Sequence, residues 1–505
     1  MTVRRQKVFA ATLILLFLAI PLWGAFDKPA LPMDEGFLLV YPELILKGLV
    51  PYRDFETFYG PANPYLLSGV FAIFDPGIFV ERSVGFVYRM LVLVAVFGIA
   101  QRWGTIIAVG CTAVTGFVLV STGVVAYAWV GAVALGLCSL WLSIKTDAPW
   151  RCFFGGVCAG SALLFRVDLG PAVVASALPL FLVMPARVKW RWLAGATVAL
   201  IPLAALLFTV GLQPLIDNLF LYPVVRSGAG RRLPIGLADT WVIYLLGIHV
   251  LAALTNVAAG AIAVRRDPRD LQHRLFLGWA LFGLGLTHQA IQRIDSLHVL
   301  YAAFVSIGTL PLAVLIFSKA AASASRTKSL LAVAAVLSVI AVVLPELAIR
   351  FRNEFRDSFD STSDQALMVE HGGRSFPASS VETVRAANAL LTDLDRISTP
   401  GQRLFIGPGD LRRTNYNDTY LYHLLPRLRP ATYFLEMNPL SANRPGSRLA
   451  RDIESADWLI LDRRWDTWYE QNRSREFGSD APNAVVRERF VLQGEYQSFL
   501  LFRKK

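Results

Sequence analysis

Of 505 residues, 55% are hydrophobic and only 17% charged, with a mean hydropathy of +0.49; soluble domains run at roughly 45–50% apolar and about 25% charged, which excludes an ordinary soluble globule. The net charge of +12 would suit a nucleic-acid partner, but Arg350 to Lys505 holds 23 basic and 21 acidic side chains, a balance of +2. The remaining +10 lies mostly in short segments between apolar runs, as expected of cytoplasmic loops under the positive-inside bias, so no nucleic acid is needed to explain it.

The chain opens with Arg4, Arg5 and Lys7 ahead of an apolar run from Val8 to about Phe26. About 20 helical residues cross the ~30 Å hydrocarbon core. The run therefore reads as an uncleaved first helix with a cytoplasmic N-terminus; a cleaved signal peptide is the rival. Further spans are expected at about 83–100, 104–121, 124–144, 152–166, 170–184, 192–211, 239–264, 275–290, 298–318 and 329–348. Basic residues then alternate between loops. Arg102, Lys145 with Arg151, Arg187 to Arg191, Arg265 to Arg274 and Lys319 to Lys328 all fall on the side of the N-terminus. The expected fold class is a multi-pass α-helical membrane protein of about 11 spans over residues 1–348. An extracytoplasmic α/β domain follows over residues 349–505. Cys111, Cys138, Cys152 and Cys158 lie in or beside apolar runs with no CxxC pair, so they read as small buried hydrophobes rather than as disulfides or zinc ligands.

The first outer loop, residues 27–82, carries Asp34-Glu35-Gly36, then Gly48 to Pro61 with Tyr52, Asp54, Glu56 and Tyr59, and then the short apolar stretch Tyr65 to Phe74. That stretch is too short to span and reads as a helix lying at the interface. Tyr52, Phe55, Phe58 and Tyr59 suit an interfacial aromatic belt, Tyr59 being also a candidate substrate contact. Arg82 opens the next span. Asp34 is itself a favoured helix cap, and a purely structural capping role is its plain alternative.

Three groups of arginines fall on the outer side against the positive-inside bias: Arg166 with Asp168, Arg231-Arg232 after Arg226, and Arg293 with Asp295 and His298. A lipid phosphate would account for them, because guanidinium grips phosphate oxygens bidentately; structural ion pairs near the headgroups are the alternative. Gly228 and Gly230 would make the Arg231-Arg232 loop a flexible clamp, whereas Arg293 stands beside a helix end. His288 reads as a satisfied core histidine. In the C-terminal region, helical spacing is expected over Val381 to Leu394, buried strands over Arg403 to Gly407 and Asp457 to Leu461, and a hairpin over Phe490 to Phe502 turning at Gly494-Glu495.

The first loop resembles that of the GT-C class of integral membrane glycosyltransferases, the superfamily of protein O-mannosyltransferases and lipid A aminoarabinose transferases. The resemblance rests on the acidic pair Asp34-Glu35 after the first helix, the Gly48 to Pro61 stretch, the interfacial helix and Arg82. It departs at Gly36 and at Gly60-Pro61-Ala62-Asn63-Pro64. The resemblance implies inverting transfer of a sugar from a polyprenyl-phosphate donor to an extracytoplasmic acceptor of unknown kind (glycan, lipid or protein) at a bacterial-type inner membrane. It assigns Asp34 as base and Glu35 to orienting the acceptor or contacting a metal. Asp54, Glu56, Tyr59, Arg82, Arg166, Arg231, Arg232, Arg293, Asp295 and His298 follow as substrate contacts. No cofactor is specified; a divalent metal is compatible, but no His/Glu spacing dictates one. Such transfer needs a base for the acceptor hydroxyl and positive charge for the departing phosphate. Two rival classes are a transporter or flippase of a lipid-linked glycan, which would carry charges within spans and inverted repeats, and a non-catalytic assembly partner of the same fold.

Overall fold

The computed structural model describes residues 3–144, 148–318, 326–360 and 367–505; Lys145 and Lys319 of the alternating basic loops lie outside the described residues. Two compact units emerge, each built from segments distant in sequence. One comprises Met1–Phe26, Arg82–Ala205 and Pro234–Ser363; the other comprises Asp27–Glu81, Leu206–Leu233 and Asp364–Lys505.

The first unit is helical. Along the described chain six helices are long and apolar enough to cross a membrane: Arg5–Gly24, Ile78–Trp103, Ala186–Val210, Thr240–Arg266, Ser296–Phe317 and Arg326–Val343. The other expected spans appear as shorter apolar helices, among them Thr105–Val120, Ala128–Leu142, Pro149–Phe165 and Gly170–Phe181. Two expected spans are divided. The 192–211 run breaks at Leu200 into Ala186–Ala199 and Ile201–Val210, next to Pro202, whose missing N–H and ring disfavour an unbroken turn. The 275–290 run breaks at Leu286 into Leu271–Gly285 and Thr287–Gln292. Helices Pro149–Phe165 and Ala186–Ala199 meet backbone to backbone. A Cβ on Gly156 would stand 1.9 Å from the Trp192 carbonyl oxygen, and one on Gly195 2.0 Å from that of Phe153. Such small-residue contacts let helices approach where lipid offers no hydrophobic drive. Arg89, fully buried, donates to the carbonyls of Gly85, Thr122 and Val125, which gives this charge within a span a structural employment. Arg82 does not open its helix, which begins at Ile78; it is buried one turn further on and donates to the Phe26 carbonyl.

The second unit surrounds the first-loop helix Asp34–Leu46. Ten of its residues, Glu35 to Leu44, are buried, so the helix is packed on all sides, as a core helix is. The loop is thus an interior element rather than a solvated crossover. Gly36, a departure from the family pattern, has a local cause: a Cβ there would stand 2.5 Å from the Tyr420 amide nitrogen. The stretch predicted as interfacial is the helix Ala62–Phe74, with Leu67 and Phe71 buried and Tyr65, Leu66, Ile73 and Phe74 exposed.

The C-terminal part of this unit is α/β. Strands β1 (Leu367–His371) and β2 (Arg374–Ala378) form an antiparallel hairpin. Strands β3 (Arg403–Pro408), β4 (Arg429–Pro430), β5 (Trp458–Asp462), β6 (Phe490–Tyr496) and β7 (Phe499–Lys504) form one sheet in the order β4-β3-β5-β7-β6. Pairing is parallel from β4 through β5 and antiparallel beyond it. Helix Val381–Ile397 buries Ala387, Leu390, Leu391 and Leu394 at the predicted spacing, with Ser380 as N-cap accepting from the Thr383 N–H. The last hairpin turns at Gln497-Ser498, not at Gly494-Glu495. Gly494 marks a bulge within β6, and Gln497 takes a φ of 55° in the turn.

Candidate active site

Burial of the first-loop helix fixes where its acidic pair points. Asp34 is the first helical residue; its carboxylate accepts from the Tyr416 hydroxyl at 3.1 Å. Glu35 reaches back to the preceding turn, its Oε1 accepting from the Leu31 N–H at 3.2 Å. Glu35 is 1% exposed. The two carboxylates therefore diverge, as adjacent helical side chains do, by about 100°.

Around Asp34 the C-terminal domain contributes groups with no local sequence signal. Glu436 is buried, accepts from the Tyr41 hydroxyl at 2.5 Å and from the Asn438 amide at 3.2 Å. Burial raises its pKa to about 7, with the Asp34 charge adding to the rise and Tyr41, Asn438 and Arg231 opposing it. Glu56 is also buried and hydrogen-bonded to the Ser441 hydroxyl, while its other oxygen is without a hydrogen-bond partner among the described residues. Burial, with the charge of Glu436, lifts its pKa to about 8 against the Ser441 bond and the charges of Arg444 and Arg226. At neutral pH Glu56 is a carboxylic acid, and Glu436 stands near half-ionised. Tyr416 is held well above its ordinary pKa by burial and by Asp34, so its hydroxyl remains a donor.

Arg231 supplies the positive charge. Its guanidinium donates to the Asn415 carbonyl at 2.9 Å and to the Asn438 side chain at 3.3 Å. Gly230 is buried with Pro439 and Leu440 about it, and the neighbouring Tyr222 donates to the Pro439 carbonyl and stacks on Phe58 at 3.6 Å. Arg232 is exposed, so the sequence pair divides into one fixed and one solvated arginine. Tyr52, Phe55 and Tyr59 do not form an interfacial belt either. Phe37, Tyr41, Phe55 and Tyr59 stack in a chain of rings with centroids 4.9–5.4 Å apart, and Tyr52 and Phe55 are 1% exposed. Stacked rings wall the site because burying aromatic faces outweighs anchoring them in headgroups. Asp54 closes a turn, accepting from the Val50 N–H at 2.7 Å and pairing with Arg53 at 2.8 Å.

The unit is tied together by a second buried charge group. Glu43 of the loop helix binds Arg374 at 2.7 Å and His423 at 2.5 Å. Burial alone would raise its pKa, yet the bonds and charges of His423 and Arg374 hold it below the ordinary value.

The remaining candidates lie in the helical unit. Arg166 grips Asp168 through two nitrogens at 2.6 and 2.8 Å, lies 5.0 Å over the Trp129 ring, and shares Asp168 with His288 at 3.2 Å. Arg293 binds Asp295 at 2.6 Å, and Asp295 caps helix Ser296–Phe317 by accepting from the His298 N–H and binding its ring nitrogen, both at 2.9 Å. The Arg-Asp pairings anticipated as alternatives are thus present at both places. Among the described residues no group of three or more His, Cys, Asp or Glu side chains is arranged to hold a metal ion.

The chain has a GT-C-type fold, with an acidic loop helix packed inside a C-terminal α/β domain and a second unit of apolar helices. Its particular likeness is to ArnT from Cupriavidus metallidurans. The crystal structure of ArnT bound to undecaprenyl phosphate matches with a TM-score of 0.52, at 12% identity over 97% of each chain. The apo structure of the same protein matches with a TM-score of 0.50, again at 12% identity over 97% of each chain. No protein-family model and no curated protein matches the sequence.

Proposed function

We propose that this protein transfers a sugar from a polyprenyl-phosphate donor to a hydroxyl acceptor outside the cytoplasm, with inversion at the anomeric carbon. The observation that carries the reading is the grouping of Asp34, Tyr416 and Arg231, all part-buried, about the buried Glu436. Asp34 takes the proton of the acceptor hydroxyl, and the oxygen attacks the anomeric carbon. The bond from that carbon to the donor phosphate breaks, and the phosphate carries away the electron pair. Arg231 stabilises the charge that builds on the phosphate as it leaves, when a fixed cation contributes most. Tyr416 holds the Asp34 carboxylate in place. Glu56 and Glu436, whose burial raises their pKa values to about 8 and about 7, resist adding negative charge beside the phosphate. The likeness to a protein that binds undecaprenyl phosphate supports a lipid of this class as donor. Arg166 with His288, and Arg293 with His298, are further candidates for the lipid phosphate.

Asp34→Asn tests the assignment. Loss of a general base costs about 10²–10⁴-fold in rate, so the variant is expected to fold and insert normally yet lose transfer by that factor. Activity within a few-fold of the wild type would remove Asp34 from the base role.

A further inference from the structure

The C-terminal sheet has a topological switch point. From β3 the chain passes to β4 on one side and then crosses to β5 on the other, and the three strands are parallel. In open sheets of this kind ligands bind outside the carboxyl ends of the strands where the winding reverses. At that place, beyond Pro408 of β3 and Asp462 of β5, lies a cavity of about 470 Å³ lined by Gly409, Asp410, Asp466 and Asn483 over a floor of Leu500 and Phe502. Its size falls within the range of small-molecule sites, about 300–1,000 Å³. None of these residues belongs to the Asp34 cluster.

The lining states the ligand's chemistry. Arg412 is paired with Asp410 at 2.7 Å and Arg487 with Asp480 at 2.8 Å, so both guanidiniums of the cavity are already neutralised. Asp466 adds a third carboxylate, hydrogen-bonded by the Asp410 N–H at 2.7 Å. Asp466 in turn faces the charge of Arg413, so the cleft's charges are balanced and a phosphate or carboxylate ligand would find no surplus cation in its lining. Hydroxyl groups would instead find carboxylate oxygens, with the Asn483 amide holding Asp410 and Asp480 in place at 2.8 and 3.2 Å. The aliphatic and aromatic floor suits the C–H face of a sugar ring, and the exposed Phe477, lying 4.4 Å beneath the Arg412 guanidinium, extends the apolar surface. At the rim, a Cβ on Gly409 would stand 2.5 Å from the Asp466 carboxylate, so the glycine leaves that side chain room.

We infer that this cleft at the β3/β5 switch point is a binding site for a neutral saccharide. The inference rests on the transferase reading, to which it adds the acceptor class: a glycan held by the C-terminal domain while one hydroxyl is presented for transfer.

The test is saturation-transfer NMR on the full chain in nanodiscs with maltotriose, cellotriose and mannotriose as probes. At least one should bind the wild type. Leu500→Trp, which fills the floor, should abolish that binding, and Asp480→Ala, at the exposed rim, should weaken it about tenfold. Inorganic phosphate should not compete. A thermal melt checks both variants, and if Leu500→Trp lowers it, the rim variant carries the comparison. Failure of all three saccharides to bind, binding that survives both substitutions, or displacement by phosphate would overturn the site. Undecaprenyl phosphate binding, measured on the same samples, separates the two readings. Saccharide binding absent with lipid binding kept removes the cleft alone. Saccharide binding present with lipid binding absent removes the transferase reading alone.

Discussion

Glu56 shows how far a sequence can name a site residue without naming its state. It was visible as an acidic residue in the right loop; its protonation was not, because that depends on burial by Ser441 and the rest of the C-terminal domain, hundreds of residues away. Its folded pKa of about 8 stands above the ordinary 4.5. A carboxyl with a raised folded pKa contributes stability that is complete below the unfolded pKa and is lost as pH rises through the folded one. Stability should therefore fall between about pH 4.5 and 8, by at most about 1.4 kcal/mol per pH unit from this group. Glu436, raised to about 7, acts in the same direction over the lower part of that window. Glu56→Gln, neutral at every pH, should flatten the alkaline end of the decline in a melting-temperature series. An unchanged pH dependence would show that Glu56 is ionised in the folded protein. Asp34 and Arg231 were legible because the family pattern and the positive-inside bias single them out. Tyr416, Glu436 and Asn438 were not, since they reach the site only through the fold of the C-terminal domain.

Among the elements, the loop helix Asp34–Leu46 depends on one buried charge group. Removing one member of a buried pair leaves an uncompensated charge and costs about 3–5 kcal/mol. Because His423 still faces Glu43, Arg374→Ala is expected to cost less than that full amount but clearly more than Arg53→Ala, whose partner Asp54 is on the surface of a turn, the difference being seen as earlier denaturant unfolding. Equal effects would deny the helix its special anchorage. The strands were legible from runs such as Leu404-Phe405-Ile406 and Leu459-Ile460-Leu461, and the helix Val381–Ile397 from its spacing. The β1–β2 hairpin escaped notice although Gly372-Gly373, at φ of 57° and 77°, is a turn signal between two short strands. The last hairpin misled because its glycine serves a bulge, where any reading by turn residues alone places the turn.

For the whole molecule, composition alone separated apolar helices from a balanced C-terminal region, and the fold followed. The count of membrane crossings is the part that length cannot decide, because several apolar helices are short of a full span by themselves and one expected span is broken beside a proline. The proposed topology puts the N-terminus in the cytoplasm and the C-terminal domain outside. Reporter fusions after Arg269 and after Ser380 should accordingly report opposite sides of the membrane. Reports from the same side would overturn the orientation and, with it, the placing of the acceptor outside.

Transfer of sugar from a polyprenyl-phosphate donor through Asp34 can be read by mass spectrometry of the lipid that copurifies with the wild type and with Asp34→Asn. The wild type should carry polyprenyl phosphate, the spent donor. The Asp34→Asn protein should accumulate the same lipid with its sugar still attached, since binding persists while transfer fails. An intact lipid-linked oligosaccharide in both preparations, or the same lipid in the same state in both, would contradict the account.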